Sequence, residues 1–195
     1  MKYRIKKPKK CQVCNKSTNC EYLNNLYQKP YDASGIILDC KAFYIVFCEL
    51  EERCRIPFGD SDKMKKYHEE ANVGKRPFLN PVMVTNGVFA AELALKALTF
   101  KETGTFDCIH NIRILFYALP DIHKNALSAM IKEKSHQNDD TLKANLEMIS
   151  NYFVDWRYFF QQEHIGYSNF LTEFIHIVCD YVISINNNEN SLINE

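Results

Sequence analysis

The sequence predicts an all-α protein, a single helical bundle of about five to six helices. Three observations support this prediction. Only 6 glycines and 6 prolines occur in 195 residues, which favours helices over a turn-rich sheet fold. Apolar side chains recur at spacings of three and four residues, which is the period of a helix. A hydrophobic content of 46% is ordinary for a globular chain of this length, so one domain with one core is expected.

Composition divides the chain into three parts. Residues 1–35 form a basic, Cys-containing N-terminal arm, in which the first ten residues hold six Lys or Arg and a helix-interrupting proline. Residues 36–185 carry the helical pattern and are expected to form the folded domain. Residues 186–195 are polar and Asn-rich, so the sequence predicts a disordered C-terminal tail.

The first long helix begins near Ile36. Its stripe of apolar residues steps by four and three, so it would keep one face toward its neighbours. Residues 55–80 contain several glycines and prolines around a charged middle, and they predict an irregular connection with room for one short helix. The stripe comprises Ile36, Cys40, Phe43, Phe47, Leu50 and Cys54.

The second helix has clear boundary signals. Asn80 is suited to the N-cap, Pro81 to the first helical position, and Gly104 lies just beyond the end. A short third helix follows His110, and Pro120 ends it or opens a fourth helix over 122–134. The apolar stripes of the second and third helices comprise Val84, Val88, Ala91, Leu95, Leu98, Ile112, Leu115, Phe116 and Leu119.

Two further helices complete the predicted bundle. The fifth runs as one continuous helix to a stop at Gly166, and the sixth follows it. Short links between most of the helices favour antiparallel neighbours. The stripe of the fifth helix comprises Leu142, Leu146, Ile149, Phe153, Trp156 and Phe160. The stripe of the sixth comprises Tyr167, Leu171, Phe174, Val178, Tyr181 and Ile185.

Charge and hydropathy limit the partners that are expected. The formal net charge is zero and the pI is about 7.0, so the chain lacks the positive field of a sequence-blind nucleic-acid binder, and any RNA contact is expected to be local. No uninterrupted apolar segment approaches the roughly 20 residues of a membrane span. The basic start lacks the apolar core of a signal peptide, so a cytoplasmic location without membrane contact is expected.

The chain contains 8 cysteines. In an intracellular protein, thiols within apolar runs behave as small buried hydrophobes, and this applies to Cys40, Cys48, Cys108 and Cys179. At the N-terminus, Cys11, Cys14 and Cys20 resemble half of a zinc site, but a second closely spaced pair of ligands is absent. The preferred interpretation is therefore that the chain uses no metal and no other cofactor, and a zinc-stabilised adaptor is the least favoured alternative.

The stretch VDWRYFFQQEH places Arg157 seven residues before His164. On one helix this separation returns to within about 20° of the same direction, two turns further on. Both residues then lie at the border between the apolar stripe and solvent, where they could line a groove. The alternative is structural, since a histidine in the last helical turn is favoured by the helix dipole and an arginine can pair locally.

Three segments of the sequence resemble the HEPN superfamily of helical domains. They are NPVMVTNGVFAAELALKAL, HNIRILFYALP and NYFVDWRYFF, and the resemblance spans about 36–185. It implies a compact α-helical bundle, often a homodimer, and many HEPN members are metal-independent endoribonucleases of toxin, phage-defence or RNA-processing systems. The signature of these enzymes is an Arg and a His with four to six residues between them, which Arg157 and His164 match with six intervening residues. Phe160, Gln161 and Tyr158 depart from the residues that similar bacterial members carry there.

Further polar residues match the same family pattern. Glu92 and Lys96 lie four apart in the favourable order for a helical pair, and His110 opens the short third helix. One interpretation is that they buttress the bundle, with Glu92 accepting a hydrogen bond from His110 or pairing with Arg157. The other is a nucleotide pocket, in which Lys96 and Arg157 contact phosphate and Tyr158 stacks on a base.

Two function hypotheses follow. The first is a metal-independent endoribonuclease that acts as a dimer on RNA in a toxin or phage-defence setting, with a cognate antitoxin or defence-system protein as a possible partner. His164 would transfer a proton and Arg157 would stabilise the charge on phosphorus. The alternative is a non-catalytic helical module that binds RNA, a nucleotide or a partner enzyme through the same face.

Overall fold

The computed structural model describes residues 32–54, 62, 65–66, 69–70, 79–107, 109–157 and 169–193. The side chains of Val154, Arg157 and 188–193 lie outside this description. Helices and no strands occur in the described ranges, which confirms the predicted all-α bundle. The helices are α1 (Ala33–Cys54), α2 (Asn80–Thr103), α3 (Ile112–Tyr117), α4 (Asp121–Ser135), α5 (Asp139–Met148), α6 (Tyr152–Arg157) and α7 (Asn169–Ile193).

The second helix, α2, forms the centre of the bundle. It packs against α1, α3, α6 and α7, while α7 also packs against α1 and α4. Because α2 has neighbours on several sides, its buried residues extend beyond the one stripe that the sequence predicts and include Ala90, Ala94 and Ala97. These small side chains allow close helix approach. The predicted stripe itself is fully buried: Val84, Val88, Ala91, Leu95 and Leu98.

At Gly87, α2 lies directly against side chains from both α1 and α7. A Cβ atom placed there would lie 2.5 Å from the Phe47 ring and 2.7 Å from the Cδ1 atom of Ile175. Both neighbouring side chains are fully buried, so neither has free space in which to move. The glycine therefore permits the crossing of the three helices.

The C-terminal end of α2 lies where the sequence predicts it, whereas the N-cap differs by one residue. Gly104 takes the left-handed conformation at φ 71° and its N–H donates to the carbonyl of Phe100 at 2.7 Å, as expected for a C-terminal glycine. At the start, the predicted cap is wrong by one residue. The N-cap is Leu79, whose carbonyl accepts from Met83 N–H at 2.9 Å, and Asn80 is already helical.

The predicted fifth helix is divided into two in the structure. α5 ends at Met148 and α6 begins at Tyr152, so the prediction of one continuous helix is wrong. The Ser150 carbonyl accepts from the N–H of Ile112 at 3.0 Å, which ties the intervening turn to the start of α3. The apolar stripe nevertheless remains buried across the turn, from Leu142 to Trp156. The spacing of buried residues therefore did not reveal the break.

The last helix is longer than the sequence predicts. Its backbone is helical from Asn169 to Ile193, so the part of the predicted tail over 186–193 continues the helix. Once a helix is nucleated by packed residues, each added residue gains one backbone hydrogen bond, and polar residues can follow at little cost. Lys41 of α1 also donates to the side chain of Asn187 at 3.4 Å.

One described helix is long and apolar enough to cross a membrane when only length and composition are considered. This helix is α2, and 67% of its most apolar window is buried inside the protein. Burial against four other helices accounts for its apolar character, as in the central helix of a bundle.

Candidate functional site

The predicted Arg–His pair lies at the edge of the described chain. Arg157 is the last residue of α6, and only its backbone is described. His164 and Tyr158 lie outside the described residues, as do Gly166 and the N-terminal Cys11, Cys14 and Cys20.

A buried ion pair lies on α2, the helix against which α6 packs. Lys96 Nζ donates to Glu92 Oε1 at 2.6 Å, and the two side chains are 8% and 1% exposed. The ammonium also lies 5.7 Å from the centre of the Phe106 ring, within the range of a cation–π contact. Because Lys96 is enclosed and already paired, the geometry supports its buttressing role over contact with a phosphate from solvent.

His110 completes this cluster from the loop between α2 and α3. Its Nδ1 lies 2.9 Å from Glu92 Oε1 and 3.0 Å from Glu92 Oε2. This geometry agrees with the predicted hydrogen bond between these two residues. In contrast to its buried partner, the His110 side chain is 54% exposed. Glu92 is therefore a buried carboxylate that connects an internal lysine to a surface histidine.

The loop that carries His110 is held by the turn before α6. Asn111 is the N-cap of α3, and its Nδ2 donates to Asn151 Oδ1 at 3.0 Å. The next residue, Ile112, donates its backbone N–H to the carbonyl of Ser150 at 3.0 Å. These bonds place His110 relative to both α2 and α6, so its position is set by several elements and not by a single contact.

An aromatic stack joins His110 to α6. The imidazole lies on the ring of Phe153 with centroids 5.3 Å apart and planes 27° apart, and Phe153 stacks in turn on Phe89 at 5.1 Å. The sequence identified Phe153 only as a core residue. Arg157 follows Phe153 by one helical turn, roughly 6 Å along the axis. The backbone of Arg157 therefore lies about one helical turn from the ring on which His110 stacks.

The same short helix carries titratable groups in a partly buried setting. Burial raises the pKa of the Asp155 carboxyl above its ordinary value. Burial, followed by the nearby charge of Asp155, raises the pKa of Tyr152. Low water access of this kind strengthens the interactions of any charge bound beside α6.

Glu92 joins Lys96 and His110 through its carboxylate oxygens. Lys96 donates a short hydrogen bond to Glu92, as it would to an ionised carboxylate. An ionised carboxylate can only accept hydrogen bonds, so Nδ1 of His110 carries the proton in its bond to Glu92. In the neutral imidazole, Nε2 then carries the lone pair. No hydrogen bond from this Nε2 occurs among the described residues. The inner edge of the imidazole is therefore held by Glu92, while no described residue bonds to its outer nitrogen.

A second polar network joins α1 to α7, and the sequence did not reveal it. Tyr44 Oη donates to Asp180 Oδ1 at 2.9 Å and lies 2.7 Å from His176 Nδ1. The other ring nitrogen of His176, Nε2, lies 2.9 Å from Glu51 Oε2. Burial and the hydrogen bond to Asp180 raise the pKa of Tyr44 far above its ordinary value. The spacing of residues along the sequence gave no sign of this network, because the partners of His176 lie on a helix more than a hundred positions away.

The described cysteines are free thiols. Cys40 and Cys179 are buried, as the sequence predicts, while Cys48 and Cys54 are half-buried. Burial raises the pKa of Cys179 well above its ordinary value, as it does for Cys48 and Cys54. Such thiols are poor nucleophiles. Within the described ranges, no group of three or more His, Cys, Asp or Glu is arranged to hold a metal ion.

Comparisons with protein-family models, curated proteins and solved structures gave no match.

Proposed function

We propose that this protein is a metal-independent endoribonuclease of the HEPN type, acting as a dimer on RNA in a toxin or phage-defence setting in the cytoplasm. In this proposal His164 transfers a proton and Arg157 stabilises the charge that develops on phosphorus. One observation carries the proposal among the described residues. The half-exposed imidazole of His110 is held by the buried carboxylate of Glu92 and stacks on Phe153, which lies one helical turn before Arg157.

RNA is the substrate class that suits these residues. Cleavage by the neighbouring 2′-OH requires proton transfer near neutral pH and a cation beside the phosphate, and histidine and arginine supply these. DNA lacks the internal nucleophile, so the reaction cannot proceed on it. A cognate antitoxin or other defence-system protein that covers α6 would be the corresponding regulatory partner.

The experiment compares the wild type with Arg157→Ala and His164→Ala on structured RNA in the presence of EDTA. We expect cleavage by the wild type, strong loss in both variants, and no cleavage of DNA or of RNA methylated at its 2′-oxygens. His136→Asn is a matched control, because His136 is exposed at the left-handed C-cap of α4, where asparagine is also tolerated. Equal cleavage by all proteins would indicate a contaminating nuclease.

The second candidate function is a non-catalytic module that binds RNA or a nucleotide. It is favoured by the pairing of Glu92 with Lys96 inside the bundle, which gives both charged groups a structural role without any reaction. Binding of RNA without cleavage by the wild type would establish this alternative. Light scattering at increasing concentration tests the dimer, and a strict monomer would contradict a cleft shared by two chains.

A further inference from the structure

The polar network between α1 and α7 contains three hydrogen-bond contacts in a row. Tyr44 Oη donates to Asp180 Oδ1 at 2.9 Å, the same hydroxyl oxygen lies 2.7 Å from His176 Nδ1, and His176 Nε2 lies 2.9 Å from Glu51 Oε2. Tyr44 and Glu51 belong to α1, whereas His176 and Asp180 belong to α7. All three contacts therefore join one helix to the other.

These three contacts require three protons, one between each pair of atoms. The phenol of Tyr44 supplies one proton, and ionised carboxylates, the ordinary form above about pH 5, supply none. A neutral imidazole carries one N–H, which brings the total to two, whereas an imidazolium carries two, which brings the total to three. With both carboxylates ionised, the network is therefore complete only when His176 is protonated.

A neutral His176 leaves one contact without a proton. If its proton is on Nε2, the ring bonds to Glu51, and Nδ1 then competes with Asp180 for the hydroxyl proton of Tyr44. If its proton is on Nδ1, the ring bonds to Tyr44, and Nε2 and the Glu51 carboxylate face each other as two acceptors at 2.9 Å. In both tautomers, deprotonation therefore weakens the link between the two helices.

The surroundings of the ring limit how far water can replace the lost bond. The side chains of His176 and Glu51 are 26% and 30% exposed. The imidazole lies 5.4 Å from the ring of Phe47, which is fully buried and meets α2 at Gly87. The network is therefore partly shielded, and it lies beside the place where α1, α2 and α7 pack together.

The other described titratable groups near this network do not change charge near neutral pH. Cys48 and Cys179 lie close to Tyr44, and burial raises the pKa of both thiols, so they stay neutral there. α2 reaches this place through Gly87, which has no side chain. The bonds from α4 to α7 are made elsewhere, by His123 to Tyr181 and by Ser135 to Glu173. Within the network, the imidazole is the group whose ordinary titration falls between about pH 5 and 8.

We propose that this network is a pH-sensitive link between α1 and α7, complete when His176 is protonated and incomplete when it is neutral. The folded protein then holds a proton that a histidine in the unfolded chain releases above about pH 6.5. The stabilisation is fully present below that pH and is lost as the pH rises beyond it. Because α1 also packs against α2, we expect a looser contact with α7 and not detachment of the helix. This inference does not depend on the proposed nuclease.

The test measures urea unfolding of the wild type, Glu51→Gln and Tyr44→Phe at about pH 6 and about pH 8, on either side of the histidine range. For the wild type we expect the folding equilibrium constant to fall roughly 5- to 30-fold, the scale of one lost hydrogen bond. In Glu51→Gln the amide can donate to Nε2, and in Tyr44→Phe only one contact remains. A neutral imidazole then satisfies every contact, so the fall should shrink in both variants.

Asn187→Ala is the matched control. It removes the hydrogen bond from Lys41, which also joins α1 to α7 but contains no group that titrates near neutral pH. This variant should therefore keep the pH dependence of the wild type. Because Glu51→Gln and Tyr44→Phe change the network from different ends, either one that folds is sufficient. A fall as large as that of the wild type in the folded variants would overturn the proposal.

Two measurements on the wild type alone test the same link. In ¹⁵N spectra, His176 should keep protons on both ring nitrogens to a higher pH than the exposed His136. Amide hydrogen exchange, corrected for its intrinsic dependence on pH, should show more frequent opening of α1 and α7 at about pH 8 than at about pH 6. Loss of the second proton from His176 at the same pH as from His136, or unchanged opening of both helices, would contradict the inference.

Discussion

Replacing Glu92 by leucine is expected to destabilise the protein strongly, and replacing Lys96 by methionine as well is expected to restore much of the loss. Glu92 is 1% exposed and accepts contacts at 2.6, 2.9 and 3.0 Å. Its removal leaves the ammonium of Lys96 buried without its acceptor. Breaking a buried pair in this way costs about 3–5 kcal/mol of unfolding free energy.

The double variant removes both buried charges. Exchange of a buried pair for apolar residues of similar size is often neutral or stabilising, so Glu92→Leu/Lys96→Met should be more stable than Glu92→Leu alone. Since about 1 kcal/mol corresponds to roughly 2–4 °C in a chain of this size, the single variant should lose about 6–20 °C in Tm. The two substitutions should therefore be non-additive.

The measurement is urea unfolding at one pH, followed by circular dichroism. Midpoints and slopes are compared for the wild type, Glu92→Leu, Lys96→Met and the double variant. Lys132→Met is the control, because the ion pair of Lys132 with Asp139 is at the surface and its loss should cost roughly 0–1 kcal/mol. A loss below about 1 kcal/mol for Glu92→Leu, with strictly additive effects, would refute the assignment of a buried pair.

Three further predictions concern other parts of the bundle. Gly87→Ala should cost about 1–3 kcal/mol despite the better helix propensity of alanine, because its Cβ would meet the Phe47 ring, and a gain in urea stability would contradict this crowding. Folded Tyr44 has a pKa raised above the ordinary value of 10.0, so the folded state keeps a proton that the unfolded chain loses above about pH 10, and stability should fall as pH rises past that value. Tyr44→Phe should show a smaller fall in its urea midpoint over that range, and an equal fall would contradict the assignment. Asn111→Ala and Asn138→Ala each remove a helix N-cap and should each lower the unfolding free energy in urea titrations by about 1–2 kcal/mol, and an unchanged midpoint in either variant would contradict its capping role.

Several elements follow from local sequence signals. The start of α4 at Pro120, the glycine after α2 and the stripes of α1, α2 and α3 are set by dihedral preferences and by the helical period, which neighbouring residues determine. The pair Glu92 and Lys96 also follows from its spacing of four on one helix. The all-α class itself could therefore be predicted without coordinates.

Other features depend on contacts between distant parts of the chain. The break between α5 and α6 accompanies bonds from Asn111 and Ile112, and an apolar stripe can continue across such a turn. The polar link of Tyr44 with His176 joins helices at opposite ends of the described chain. No local period encodes either feature, because hydrogen bonds between elements depend on how the helices cross.

The sequence by itself determined the helical class, most helix boundaries and the residues from which a site could be built. Only the tertiary structure decided which of them are buried together, since it pairs Lys96 with Glu92 in the interior and leaves the side chain of His110 half-exposed. The physical reason is that periodicity shows which face of a helix is apolar, but not which polar group at its border meets a buried partner and which meets water.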